Sequence, residues 1–284
     1  MDHVDHRGEN APVVSSIEDL VRDAFANEEL RHVVTAGDWY LVGSRATGFD
    51  DELSDWDTIV LSRADPSADD RRTTSRSRLD QIFRVDRPSD ALPSYLGRFR
   101  AVRRAQGVEI NVYGPAGRTH RDGDGAGDVI WAYDLRHAVA LCVEAGVGEP
   151  YRRQVAAAFA QRCRALRDAA YLRFRMARNE VAATLARSDR LAQELAAARC
   201  VRNAARFWLL AREEPYPADK WLPSALARDP AAGELMPLIR VVLDGGADPS
   251  ARFDATWSLW RTIDDRAVGV GADPELLSGS PFVS

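Results

Sequence analysis

Two short apolar runs bracket the segment YLVGSRATGFDDELSDWDTIVL, residues 40–61. Each is only a few residues long and bordered by turn-forming residues, so DWYLVGS and WDTIVLS read as two strands rather than helices. The first ends in Gly43-Ser44. The second opens on Asp55 and Asp57, about ten residues later. Alternate residues of a strand share a face, so the two carboxylates project the same way. Paired acids that close resist joint ionisation, and a divalent cation bound by hard oxygen ligands relieves the repulsion. Gly43 lets backbone approach a ligand closely. Ser44 adds a hydroxyl and Arg45 a charge suited to phosphate oxygens, with further N–H donors if a helical turn follows. Gly-Ser followed later by Asp-x-Asp also arises among ordinary turn residues; order, spacing and flanking strands together favour a site.

The remaining sequence bounds the possibilities. With 284 residues, 45% of them hydrophobic, the chain suffices for one large domain or two ordinary ones. Forty-three acids against 38 lysines and arginines give a net charge of -5, which argues against a nucleic-acid coat. Arginine supplies the basic residues, and Lys220 is the sole lysine. Cys142, Cys163 and Cys200 are dispersed within apolar, helix-like patterns, as for reduced core thiols of a cytoplasmic protein, and no CxxC or HxH cluster suggests zinc. The polar N-terminus is not a signal peptide, and no apolar run reaches membrane-spanning length.

Along the chain, residues 1–14 read as a loose tail and SSIEDLVRDAFANEEL as a helix capped by Ser15 or Ser16. DDRRTTSRSRLDQIFRV suggests a helix from about Thr73 to Ser75. YLGRFRAVRRAQGVEINVYGP reads as a hairpin turning near Ala105 to Gly107, and RTHRDGDGAG as a loop. That loop lacks the ligand pattern of a calcium site, because Ala126 and Tyr133 stand where acids are needed. From Asp128 onward the pattern is almost all helical. The expected architecture is α+β: residues 15–146 form a mixed sheet flanked by helices, 147–275 a helical domain, and 276–284 a tail.

VGSRATGFDDELSDWDTIVL resembles the signature of the DNA polymerase β-type nucleotidyltransferase superfamily: an apolar residue, Gly-Ser, a spacer, then Asp-apolar-Asp on a strand. Trp56 is the apolar middle residue; Thr58 departs mildly from the usual apolar choice. The likeness covers about twenty residues directly and implies a third acid on a later strand. Glu109, in GVEINVYG, suits that role as metal ligand, general base or both, although glutamate is also ordinary on an exposed edge strand. ARCVRNAARFWLLAREEPYPADKWLPSAL is similar to a helical-domain segment of small-molecule adenylyltransferases, notably the aminoglycoside-modifying ones, where the helical domain closes the nucleotide cleft and a lysine reaches the triphosphate. By position that lysine is Lys220; the alternative is a solvated residue at a helix start. Arg199, Asn203 and Arg206 share a helical stripe that faces either a cleft or solvent.

The resemblance implies a nucleotidyltransferase using magnesium, as two ions, or manganese. Asp55, Asp57 and Glu109 would hold metal and carry catalysis; Gly43, Ser44, Arg45 and Lys220 would bind the nucleotide. The expected reaction moves an NMP, foremost AMP from ATP, onto a small-molecule hydroxyl, as in antibiotic modification, with neither membrane nor nucleic-acid partner. The alternatives are a protein or tRNA acceptor, served by the Arg71–Arg78 and Arg98–Arg104 clusters, or a nucleotide-binding protein without catalysis.

Overall fold

A computed structural model describes residues 16–26, 31, 34–35, 37–50, 54, 56–62, 98–103, 106–113, 126–187 and 189–272. The helix expected from about residue 73, the loop at 118–125, both tails and Asp55 lie outside these residues. The chain divides into two compact units, one of residues 1–120 and 134–154, the other of 121–133 and 155–284. Residues 121–133 group with the helical unit.

The first unit carries α1 (Ile17–Ala26), β1 (Gly37–Leu41), α2 (Gly43–Thr47), β2 (Trp56–Ser62), β3 (Arg98–Arg103) and β4 (Gln106–Tyr113). α3 (Ala126–His137) leads to β5 (Val139–Cys142). Ser16 caps α1 as expected, its hydroxyl accepting from the Asp19 amide at 3.1 Å. The sheet order is β3-β4-β2-β1-β5. β2 and β4 are parallel and the other pairs antiparallel, so the sheet is mixed. Leu20 and Ala24 of α1 pack with Trp39, Leu41, Trp56 and Val60 in this unit's core. β3 pairs antiparallel with β4, Arg103 opposite Gln106 and Val102 opposite Gly107, so Gln106 and Gly107 belong to β4 rather than to the turn expected near Ala105 to Gly107.

β5 interrupts a stretch whose pattern after Asp128 reads as almost all helical. Val139-Ala-Leu-Cys is too short to display an alternation, and alanine and leucine are good helix formers. Pairing with β1 decides its conformation. Cys142 accordingly sits on a strand rather than in a helix.

α4 (Gly148–Ala186) is tied to β1 by Asp38. This wholly buried carboxylate accepts from the amides of Ala145 at 2.7 Å, Gly146 at 3.0 Å, Val147 at 2.7 Å and Gly148 at 2.7 Å. Burial pulls its pKa up, but the amides of Gly148, Gly146, Ala145 and Val147 together outweigh it and hold the pKa below the ordinary aspartate value. Gly148 has no room for a side chain, because a Cβ would stand 2.0 Å from the Tyr40 hydroxyl.

The helical unit contains the remainder of α4, α5 (Arg190–Leu210), α6 (Leu222–Ala227), α7 (Leu235–Leu243) and α8 (Pro249–Gly269). Asp189 caps α5 and Asp248 caps α8. Tyr171 and Phe174 of α4 pack with Phe207 and Leu210 of α5, Leu226 of α6, Leu235 of α7, and Leu259 and Ile263 of α8. Buried Asp229 accepts from the Trp208 indole at 2.8 Å and from Arg212, fastening α5 to the turn before α7.

All three cysteines are free. Burial pushes the Cys200 thiol up to about 12 and raises those of Cys163 and Cys142. In native protein at neutral pH, a thiol reagent is expected to modify half-buried Cys142 slowly and the other two hardly at all, against rapid reaction of all three after denaturation. Counting adducts per chain by mass spectrometry checks this.

Candidate active site

β1 and β2 run antiparallel with Leu41 opposite Thr58. One step further the Val42 amide donates to the Asp57 carbonyl at 2.8 Å, so the end of β1 meets the start of β2. The chain then turns at Gly43, whose φ of 72° lies in the left-handed region that favours glycine. A Cβ on Gly43 would stand 2.6 Å from Oδ2 of Asp57. The Asp57 carboxylate therefore occupies the space that a side chain at 43 would need. The two halves of the Gly-Ser and Asp-x-Asp pattern are in direct contact.

Gly43→Ala is expected to disturb this site twice over. A left-handed alanine is strained by roughly 1–2 kcal/mol, and its methyl group displaces Asp57. On the nucleotide-binding reading proposed below, the expected outcome is a modest fall in the unfolding midpoint with a much larger loss of magnesium-dependent nucleotide binding, read by thermal melts with and without ligand. Equal losses in both would mean that position 43 matters only to the fold.

α2 is a single turn closed locally. The Thr47 hydroxyl donates to the carbonyls of Gly43 and Ser44 at 3.0 and 2.9 Å, and left-handed Gly48 ends the turn. Ser44 is buried. The Arg45 guanidinium faces the spacer. Its Nε and Nη2 donate to the Ser54 carbonyl at 3.1 and 2.8 Å, and it lies 4.3 Å over the Trp56 ring. Nη1 stands 3.6 Å from Asp50. Trp56 and Thr58 are both buried, consistent with their places between two neighbouring strands.

The parallel register pairs Asp57 with Glu109. Paired positions on neighbouring strands stand about 5 Å apart. β4 lies inside the sheet, between β3 and β2, so an edge strand does not explain this glutamate. Across the hairpin, Arg100 is the register partner of Glu109. Asp57, Glu109 and Arg100 thus form one row over three strands. In the sequence Arg100 stands out only as part of the Arg98–Arg104 cluster; the antiparallel register of β3 and β4 sets it opposite Glu109. Among the described residues no three His, Cys, Asp or Glu side chains gather into a metal-holding group. Asp57 is described with its side chain, Glu109 by its backbone, and Asp55 lies outside the described residues. Glycine against Asp57, with an acid at the paired position, suits a hard divalent cation by its oxygen donor chemistry.

In the helical unit Lys220 lies on a 3-10 turn, Asp219–Trp221, exposed and 5.1 Å over the Trp221 ring. Buried Arg206 anchors that turn through Asp219 at 2.8 Å, with Arg202 at 3.7 Å. Asn203 is also buried and donates to the Arg199 carbonyl at 2.9 Å, while Arg199 pairs with Glu180 at 2.5 Å. Of the stripe at 199, 203 and 206, two members are therefore packed within the unit rather than solvated. A groove of about 510 Å³ beside the turn is walled mainly by apolar side chains, among them Leu195, Leu222, Met236 and Ile239, with Arg199, Arg202 and Asp219 also in its lining.

No protein-family model matches the chain, and no curated protein matches it. Among solved structures it is similar to a nucleotidyltransferase-like protein from Exiguobacterium sibiricum, at 9% identity and a TM-score of 0.43, over 90% of this chain and 77% of that one. Among the described residues no helix is long and apolar enough to cross a membrane.

Proposed function

We propose that this protein is a magnesium-dependent nucleotidyltransferase that moves an NMP, foremost AMP from ATP, to a hydroxyl of a small molecule. One observation carries the reading: the Asp57 carboxylate stands against Gly43, in the space a side chain there would fill. A glycine with no room for a methyl group, beside an acid that opens a buried strand, is what a phosphate-and-metal site needs from its backbone.

Asp55, Asp57 and Glu109 would hold the cation, as magnesium or manganese. When bound, it would withdraw charge from the phosphates as pyrophosphate departs. The acceptor hydroxyl oxygen attacks the α-phosphorus, the bond to pyrophosphate breaks, and the proton passes to Glu109 as general base. Ser44 and its backbone orient the phosphates. Lys220, on the Asp219 turn that Arg206 anchors, neutralises the triphosphate. The only lysine in an arginine-rich chain, left exposed beside an anchored turn, supports that assignment.

The test is incubation with each NTP, magnesium and a panel of hydroxylated metabolites and antibiotics, followed by mass spectrometry. The reading expects an NMP adduct on a small molecule together with released pyrophosphate. Adducts confined to protein or tRNA would transfer the proposal to those acceptors, and no adduct on any acceptor would count against transfer.

A further inference from the structure

The Arg45 guanidinium is engaged by groups of the protein itself. The Arg45 side chain is only 13% exposed. Two of its nitrogens chelate one backbone oxygen, that of Ser54, and the guanidinium plane covers Trp56. Ser54 and Trp56 are both buried, and they flank Asp55 in sequence and precede Asp57. One end of the spacer, where Phe49 donates to the Ser44 carbonyl at 2.9 Å, is thereby fastened to the other. A charge-assisted fork to a carbonyl, stacked on an indole and shielded from water, is a rigid contact.

Resting on the nucleotidyltransferase reading, we propose that Arg45 is a positioning residue. It holds the start of β2 against the Gly43-Ser44 turn, so that the carboxylates meet the cation in one geometry. It acts on metal affinity through the loop and does not itself touch the triphosphate. Lysine cannot replace it, since an ammonium keeps the charge but lacks the planar fork that bonds Ser54 while covering Trp56.

The experiment compares Arg45→Lys and Arg45→Ala with the full-length wild type in two measurements. The first is hydrogen exchange of the Val42 and Phe49 amides, which bond to the Asp57 and Ser44 carbonyls. The second is nucleotide binding across a magnesium titration. Both variants are expected to speed exchange at these amides and to raise the magnesium requirement by about 10–100-fold, as loss of a residue supporting metal ligands does. At saturating magnesium their nucleotide affinity should stay within about twofold of wild type, as expected where no phosphate contact is lost. The proposal is overturned if Arg45→Lys keeps the wild-type magnesium requirement while Arg45→Ala loses nucleotide affinity at saturating magnesium, since charge alone would then suffice. Unchanged exchange in both variants overturns it as well, whatever the protein binds. Absence of nucleotide binding by the wild type would count against the nucleotidyltransferase reading, while the exchange comparison would still decide whether Arg45 clasps the loop.

Discussion

Asp57→Asn is expected to abolish detectable nucleotide transfer while leaving the fold intact. The substitution keeps the size and shape of a side chain that fits against Gly43, so the β1–β2 contact survives. It removes the charge that, on the proposed reading, would balance a divalent cation. Losing one preorganised electrostatic group at a reacting centre costs about 10²–10³ in rate, and a metal-holding acid belongs at the upper end or beyond. The expected readout is a thermal midpoint within a few degrees of wild type and a transfer rate at background. A variant that transfers normally would remove Asp57 from the metal site; one that fails to fold would make it a structural acid.

The second large effect falls on stability. Asp38→Ala leaves four backbone donors of residues 145–148 without their acceptor inside the first unit. Each orphaned buried donor costs about 1–3 kcal/mol, and with partial recovery by water the net loss should be on the order of 3–5 kcal/mol. Asn rescues poorly, because its NH2 would face amides that also donate. Chemical denaturation should show both variants with a lowered midpoint. The same contact sets an acid limit. The Asp38 pKa is lower folded than unfolded, so its contribution is complete above the unfolded value. It is lost as pH falls through the folded one, in the region below about pH 4. Asp229, also held below its ordinary value, adds to the trend: burial raises it, and Trp208, Arg212 and the Ala231 amide more than compensate. Stability of Asp38→Ala that follows the wild-type pH profile below pH 4 would show the clamp carries little weight.

Asp38 also shows where sequence reading stops. Strands β1 and β2, the hairpin and the cap of α1 were legible because each is written in local alternation or a local turn. An acid in an apolar strand must find a partner, which is why Glu109 stands out in GVEINVYG. The same holds for Asp38 in GDWYL, but the partners lie 107–110 residues away and are backbone amides, which no side-chain pattern announces. The Asp57–Glu109 pairing depends on a parallel crossover whose register the sequence between the strands does not state. β5 was missed because its partner, not its composition, makes it a strand. Arg45 stands out in the sequence by its place after Gly-Ser; that its guanidinium faces Ser54 and Trp56 is visible only in the folded turn.

The central claim is that Gly43 and Asp57 belong to a site for a metal-bound nucleoside triphosphate. Calorimetric titration of the full-length protein with ATP and the other NTPs, with magnesium and with a chelator, tests it most directly. Saturable binding of at least one NTP that requires magnesium in wild type and is lost in Asp57→Asn is the predicted result. Binding that ignores magnesium, or persists unchanged in Asp57→Asn, or is absent for every NTP, would contradict it.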